Sequence, residues 1–333
     1  MAIKSLKLEN FTVFEELEMA LSPGINVFIG ENGTGKTHLL KVLYAFCNAS
    51  VKGSGLPLEL RPLFNSNPLI KGVLNRSKDK DVKLQIQIGN NSYDYILSIN
   101  GDRIGYSVYG NPISEEIFST FIPAKEMLSI SNITRIDEKF HVELAIDKSL
   151  INIIKKAQNM KLSNPPAIAF KITPKLERIM NGTVFIKEND NTFWIRKNNG
   201  EEILFAMEAE GIRKFGLIWQ LLMNGSLAEG TVLFWDEPEA NLNPKLIPVV
   251  VDILLELARH GVQIFIATHD YVIAKYLEIR RTPNDTVLFH SLYKTDTGVK
   301  SESNTNFRDL KENPIITALD VLMDEVIDRN MGD

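Results

Sequence analysis

Residues 25–37, INVFIGENGTGKT, join a short apolar run to a glycine-rich loop that ends in lysine and threonine. INVFIG has the composition of a buried β-strand. The residues that follow place apolar side chains at helical spacing, on Leu39, Leu40, Val42, Leu43 and Phe46. GENGTGKT matches GxxxxGK[ST], and a strand before that pattern with a helix after it is the context in which it binds phosphate. The stretch therefore predicts a nucleotide-binding turn.

The side chains of this loop have separate predicted tasks. Glycine lets the backbone turn its N–H groups onto phosphate oxygens, Lys36 would reach the β and γ oxygens, and Thr37 would offer a hydroxyl to Mg²⁺. A glycine turn that only caps a helix is the alternative interpretation. The predicted nucleotide contacts in the loop are Gly30, Asn32, Gly33, Thr34, Gly35, Lys36, Thr37 and His38.

A second acidic motif, TVLFWDEPE at residues 231–239, follows another apolar run. Asp236 would end a buried strand and hold Mg²⁺, while Glu237 would orient and deprotonate the attacking water. Neighbouring residues of a strand point to opposite faces, but at its frayed end both carboxylates can reach one site. Acidic residues at a strand end can also be ordinary turn formers, and that reading stays open.

The alternation of strand and helix patterns along the chain predicts an α/β fold with a mainly parallel sheet. Three alternating runs separated by NN and NGD turns, between residues 82 and 110, predict an antiparallel β subdomain. Helical spacing over residues 137–180, broken near Pro165, predicts a helical insertion. We therefore expect an N-terminal lobe over 1–120, the insertion over 121–182 and a C-terminal lobe over 183–333.

Composition restricts the class of protein. The chain has 333 residues, 44% hydrophobic and 24% charged, which is typical of a folded globular protein. Its formal charge of −5 argues against the cationic surface that non-specific nucleic-acid binding needs. Cys47 is the only cysteine, so an internal disulfide and a cysteine-based zinc site are excluded and a reducing cytoplasm is expected. No run reaches the ~20 apolar residues of a membrane helix.

GENGTGKT, WDEPEANLNP and IATHD together resemble the Walker A, Walker B with D-loop, and switch-histidine motifs of ABC-type P-loop ATPases. The resemblance is to the RecF and SMC-like branch, which includes the short AAA family ATPases, AAA_15- and AAA_21-like, found in bacterial antiphage systems. It covers residues 1–48 and 205–270. The fold that it implies is an ABC-type core.

The resemblance also implies roles for residues outside the phosphate loop. Asn241, Leu242 and Asn243 would form a D-loop that crosses a dimer interface, with Asn243 near the nucleotide. His269 would contact the γ-phosphate. The implied catalytic residues are Lys36, Glu237 and His269, and the implied Mg²⁺ ligands are Thr37 and Asp236.

Two further motifs of such ATPases match less closely. EAEGIRK, residues 208–214, places Gly211 at the central glycine of the signature loop, but Ala209 stands where many relatives carry serine. A plain helix start is the alternative for this segment. FIPAKEML, residues 121–128, lies where a Q-loop would be and contains no glutamine, so Lys125 or Glu126 would act as the sensor, or the segment only begins a helix. Phe11 and Phe14 are expected in the core rather than against a base.

The function implied by the resemblance is an ATP-binding and ATP-hydrolysing conformational switch with Mg-ATP as cofactor. Two subunits would sandwich ATP as a homodimer or within a higher homo-oligomer, and control a protein effector such as a nuclease in bacterial defence. A RecF- or SMC-like repair ATPase that binds DNA is the alternative, and a transporter ATPase subunit is a third. A scaffold that binds ATP without turnover is disfavoured by the intact Glu237.

Overall fold

The structure, a computed structural model, describes residues 2–64, 80–100, 103–109, 115–135, 146–187 and 189–331. The strands are β1 (Ile3–Phe11), β2 (Phe14–Ala20), β3 (Ile25–Gly30), β4 (Val82–Ile88), β5 (Asn91–Asn100), β6 (Arg103–Tyr109), β7 (Ser119–Ile122), β8 (Gly182–Lys187), β9 (Thr192–Lys197), β10 (Glu202–Leu204), β11 (Val232–Asp236), β12 (Gln263–Ala267), β13 (Val287–Thr295) and β14 (Gly298–Asn304). The α-helices are α1 (Lys36–Lys52), α2 (Leu56–Leu63), α3 (Lys148–Ala157), α4 (Ala167–Met180), α5 (Glu210–Met223), α6 (Ile247–Arg259), α7 (Tyr271–Arg280) and α8 (Pro314–Met331).

A mainly parallel six-stranded sheet forms the centre of the fold, in the order β14-β13-β3-β12-β11-β7. Every neighbouring pair in it is parallel except β13 with β14. Asp236 pairs with Ala267, and Ala267 pairs with Phe28, so the carboxyl ends of β11, β12 and β3 lie at one level of the sheet. The loops that follow these three strands therefore emerge at the same edge.

Two antiparallel sheets flank the centre. One has the order β2-β1-β4-β5-β6 and contains the three runs that the alternation predicted. The other is β10-β9-β8. The predicted α/β class, with a mainly parallel sheet and antiparallel strands, is confirmed. The division at residues 120 and 182 stays a prediction.

The strand alternation of the central sheet divides the core in two. Val27 and Ile29 pack on one face with the helical part of the chain, whereas Phe28 packs on the other face against α1 and the five-stranded sheet. Aromatic rings continue this second face across the strands, with Phe28, Phe265 and Phe234 stacked at centroid distances of 6.2 and 5.2 Å. Burial of each such ring contributes about 1.5–3 kcal/mol to stability. The packing fixes α1 behind the phosphate loop.

Proline determines where α6 begins. A 3₁₀ turn at Pro244–Leu246 precedes α6, because prolines lack the N–H that a helix interior needs and are accepted only in a first turn. The helical pattern over 137–180 appears as α3 and α4, while residues 136–145 lie outside the described residues. α5 ends two residues before Gly225.

A buried polar network joins β3 to the outer strands. Asn26 and His290 are both fully buried, with 3.1 Å between Asn26 Oδ1 and His290 Nε2. His290 Nδ1 lies 2.7 Å from Ser303 Oγ, and the backbone N–H of Ser22 donates to Asn26 Oδ1 over 2.7 Å. Burial lowers the pKa of His290 to about 3. The imidazole is therefore neutral in the folded protein.

This histidine should make the stability depend on pH. The unfolded chain binds a proton at the ordinary pKa of about 6.5 and the folded chain does not, so stability is full above that pH and falls as the pH drops toward 3. Between pH 7 and pH 5 the unfolding free energy should fall by about 2 kcal/mol more in the parent protein than in His290→Gln. Chemical unfolding at both pH values measures this.

Candidate nucleotide-binding site

The glycine loop between β3 and α1 adopts a conformation that larger residues would disrupt. A Cβ on Gly30 would lie 2.5 Å from Leu292 O, and one on Gly35 would lie 2.6 Å from the Phe14 ring. Gly35 has φ +89° and serves as the N-cap of α1 without a side-chain cap. The first N–H groups of α1 therefore point into the loop, where a helix N-terminus favours an anion.

Lys36 lies inside this loop. Its ammonium donates to Gly30 O at 2.7 Å and to Glu31 O at 3.0 Å, and the residue is 8% exposed. Burial lowers the pKa of Lys36, and the nearby carboxylates of Asp236 and Glu237 partly oppose this shift. The cation is thus held next to the backbone N–H groups that would receive phosphate.

Thr37 and Asp236 form the contact between the loop and β11. Thr37 Oγ1 donates to Asp236 with distances of 3.0 Å to Oδ2 and 3.2 Å to Oδ1. Burial raises the pKa of Asp236 to about 6, against the Thr37 hydrogen bond, which lowers it. A hydroxyl and one carboxylate beside a phosphate site are the ligands that Mg²⁺ uses with nucleotides. These residues therefore fit the predicted ion.

Glu237 and His269 lie at the end of the neighbouring strands. Glu237 has φ +48°, and its N–H donates to Ala267 O at 2.9 Å, so the chain turns sharply where β11 ends. His269 Nδ1 is 3.4 Å from Glu237 Oε1, and their side chains are 54% and 34% exposed. This turn breaks the strand alternation, so the half-buried Asp236 bonds Thr37 while the adjacent Glu237 faces His269.

Two residues at this edge were missed by the sequence analysis. Thr268 Oγ1 donates to Glu239 Oε1 at 2.6 Å and accepts from the N–H of Asp270 at 3.0 Å, which holds the histidine loop against the acidic motif. Lys214 of α5 is 5% exposed, and its ammonium lies 3.3 Å from Glu237 O. In the sequence, the second glutamate of DEPE, Glu239, could have pointed to a hydrogen-bond partner such as Thr268. No feature of the sequence pointed to Lys214, because nothing in the sequence relates α5 to β11.

Comparison with known proteins identifies the family. A family model described as "AAA domain, putative AbiEii toxin, Type IV TA system" matches residues 25–274. The chain belongs to this AAA family. The match includes the glycine loop, the acidic motif and His269, and members of the family are nucleotide-binding ATPases.

Curated relatives of this AAA-family chain include two proteins named "DNA replication and repair protein RecF". The protein from Limosilactobacillus fermentum is 25% identical over 195 residues, which are 55% of this chain and 48% of the relative. The one from Staphylococcus haemolyticus is 37% identical over 75 residues, 22% of this chain and 20% of the relative. The matched part is thus less than half the length of these RecF proteins.

Solved structures with the same fold are SMC head domains. The head bound to the C-winged helix domain of ScpA has a TM-score of 0.58 at 13% identity. The match covers 91% of this chain and 98% of the SMC chain. The head with an extended coiled coil from Pyrococcus furiosus has a TM-score of 0.56 at 13% identity. The match covers 97% of this chain and 99% of the SMC chain. The expected RecF- and SMC-like ABC-type P-loop fold is confirmed.

In this AAA-family chain the loop at Gly211 lies against residues 241–243. A Cβ on Gly211 would be 3.2 Å from Leu242 Cδ2, and Asn241 Nδ2 donates to Glu210 Oε1 at 2.9 Å. Asn243 Oδ1 accepts from the N–H of Lys245 at 3.0 Å and begins the 3₁₀ turn. The two loops form one surface. The contacts of Gly211 and Asn243 with a nucleotide stay predictions.

The Q-loop position carries a structural ion pair. Glu126 lies 2.8 Å from Arg213 Nε, with the Glu126 side chain 2% exposed, and it also accepts from the N–H of Ser129 at 3.2 Å. Glu126 therefore caps the 3₁₀ turn Leu128–Arg135 and joins it to α5, as the helix-start interpretation predicted. Lys125 is exposed.

The remaining loop residues differ in what they present. Asn32 and Gly33 are exposed, whereas Thr34 is fully buried and its hydroxyl donates to Glu31 O at 2.9 Å. The His38 ring lies 5.3 Å from that of Phe64, and burial, followed by Lys41, lowers the pKa of His38. The backbone N–H of Thr34 also donates to Glu31 O, at 3.4 Å, so both donors of this residue serve the turn of the loop.

Both aromatic residues near the N-terminus belong to the core. Phe11 and Phe14 are fully buried, and the ring of Phe11 packs edge-on against Phe64 at 5.8 Å. The core interpretation is confirmed for both. In the part of the chain that the structure describes, no helix combines the length and apolar character needed to cross a membrane.

Lys36→Ala should abolish tight ATP binding. It removes the cation predicted to bridge the β and γ phosphates, and a hydrogen bond to a charged group contributes about 1.5–3 kcal/mol, which is at least about tenfold in affinity. Titration of the protein with ATP and Mg²⁺ measures the loss. Lys52→Ala, at the opposite end of the same helix and paired there with Glu59, should bind like the parent. Unchanged affinity of Lys36→Ala would refute the site.

Proposed function

We propose that the protein hydrolyses Mg-ATP at the edge formed by β3, β11 and β12. The observation that carries this proposal is the position of Glu237, which is accessible and 3.4 Å from His269, directly after the Asp236 that bonds Thr37. A carboxylate suited to Mg²⁺ and a second one suited to water are what phosphoryl transfer to water requires.

Each side chain then has one task. Glu237 orients and deprotonates the attacking water, because its carboxylate is 34% exposed, whereas that of Asp236 already accepts from Thr37. His269 contacts the γ-phosphate and, through Nδ1, holds the Glu237 carboxylate. Lys36 and the N–H groups of the loop bind the β and γ phosphates. Thr37 and Asp236 would hold Mg²⁺, which would supply positive charge against the phosphates.

The cycle that we propose for this ATPase uses two subunits. Gly211 at the start of α5 and the D-loop at Asn241–Asn243 form one surface in a single chain, which suits a joint approach to the nucleotide of a partner subunit. Backbone N–H groups at a helix start attract phosphate without a side-chain donor, so Ala209 does not prevent it. ATP binding would close this dimer and hydrolysis would open it.

The work of the switch is control of a protein effector, such as a nuclease in bacterial defence. Support comes from the family description, which names toxin systems, and from the net charge of −5, which does not suit non-specific DNA binding. The N-terminal lobe 1–120 and the C-terminal lobe 183–333 would carry the two halves of the site, and the insertion 121–182 would transmit its state.

A repair ATPase that acts on DNA is the second candidate, favoured by the printed names of the RecF relatives. DNA binding that weakens steeply with salt would favour it over effector control, because such dependence reports phosphate contacts. A transporter subunit has no comparable support among the described residues.

Glu237→Gln should keep ATP bound and slow hydrolysis by at least ~10², the scale of losing a general base. The substitution keeps the volume and removes the proton acceptor. Phosphate release under single-turnover conditions measures the rate, and a binding titration serves as control. Full turnover in Glu237→Gln would assign the base elsewhere, and Glu239→Gln then tests the next carboxylate.

The dimer is tested at the signature loop in a Glu237→Gln background. Gly211→Arg should prevent ATP-dependent association, since its side chain fills the approach to the partner's phosphate, while ATP binding to one subunit stays near the parental value. Ala209→Ser should preserve the dimer or strengthen it by about 0.5–1.5 kcal/mol through one hydrogen bond. Sedimentation velocity with and without ATP measures both. Normal ATP-dependent dimers of Gly211→Arg would rule out the composite site.

A further inference from the structure

Helix α8 leaves the body of the protein after its first turn. Ile315 is 9% exposed and packs into the core, and Ile316 is partly buried against it. From residue 320 to residue 330 every position is exposed. The helix has 18 residues, a length of about 27 Å, so most of it projects into solvent.

The projecting part of α8 has one apolar face. Each residue of a helix turns by about 100°, so residues three or four positions apart lie on the same face as Ile315. Its members beyond the core are Leu319, Leu322, Met323, Val326 and Ile327. The last four are 46–54% exposed. Aliphatic side chains grouped in this way on a surface mark a binding site rather than a solvated face.

The opposite side of α8 is acidic. Asp320, Asp324, Glu325 and Asp328 are all exposed there, and Arg329 is the only cation in the helix, which gives it a net charge of −3. A second copy of α8 would bring an equal negative charge beside it. A partner with lysine or arginine beside its apolar residues would instead be attracted and oriented.

We propose that the apolar face of α8 docks a protein segment that presents aliphatic side chains flanked by lysine or arginine. The mode is that of an amphipathic helix with its apolar face in a groove or against a second helix. The inference rests on the proposed function, because the docked protein would be the effector that the ATPase controls. The ATP site lies elsewhere on the chain, so the surface can be tested separately.

The probe is a synthetic amphipathic peptide of about 18 residues, long enough to match α8 as a helix. Leucine forms its apolar face and lysine flanks it, and a second peptide carries glutamate in place of every lysine. Binding to the full chain is measured by fluorescence anisotropy at low and high salt. We expect the lysine peptide to bind, more weakly at high salt, and the glutamate peptide to bind at least about tenfold more weakly.

Matched variants locate the surface. Leu322→Ser with Val326→Ser should weaken binding of the lysine peptide at least about tenfold, since aliphatic anchors dominate such interfaces. Val321→Ser is the control, because Val321 and Leu322 are both 54% exposed and Val321 lies on the opposite side of the helix. It should bind within about twofold of the parent. Circular dichroism checks that α8 remains helical in both.

Three outcomes would overturn the inference: equal binding of the two peptides, equal loss in the Val321→Ser control, and no binding. ATP-independent dimers that Leu322→Ser with Val326→Ser abolishes would assign the face to a second copy and overturn it as well. ATP turnover is measured in the same proteins. Loss of peptide binding with normal turnover separates the failure of this surface from a failure of the ATPase proposal.

Discussion

Parallel pairing of β3 with β12 and of β12 with β11 is the constraint on which the site depends. The register sets Phe28, Ala267 and Asp236 at one level, so the glycine loop, the histidine loop and the acidic motif all begin at the same edge. A shift of one residue in either pairing would move these loops apart and turn the core side chains of the strand to the other face. The aromatic stack across these strands resists such a shift.

Burial shifts the pKa values of four charged residues at this edge. Lys36 and Lys214 are almost fully buried, and burial lowers the pKa of both, while it raises the pKa of Asp236 and of Glu239. Buried charges are tolerated when opposite charges compensate them, and here the cations and carboxylates surround one small volume. A nucleotide with Mg²⁺ brings both signs of charge to this volume, which suits a site that already contains both.

The backbone conformation at three residues also positions the groups of the site. Gly30 and Gly35 occupy positions where a Cβ would collide with neighbouring atoms, and Glu237 adopts a left-handed conformation without being glycine. Such a conformation costs about 1–3 kcal/mol and persists only where surrounding contacts hold it. Its consequence is that the two adjacent carboxylates have different partners, Thr37 for Asp236 and His269 for Glu237. The division of tasks proposed for Asp236 and Glu237 depends on that turn.

The sequence by itself determined the glycine loop, the acidic motif, the strand and helix order and the fold class, because periodicity and short motifs are local properties of the chain. It also placed Phe11 and Phe14 in the core. Only the tertiary structure brought Lys214 to Glu237, paired Thr268 with Glu239 and joined Glu126 to Arg213. These contacts span 23, 29 and 87 positions along the chain, and which side chains meet over such separations is decided by how the sheet and helices pack.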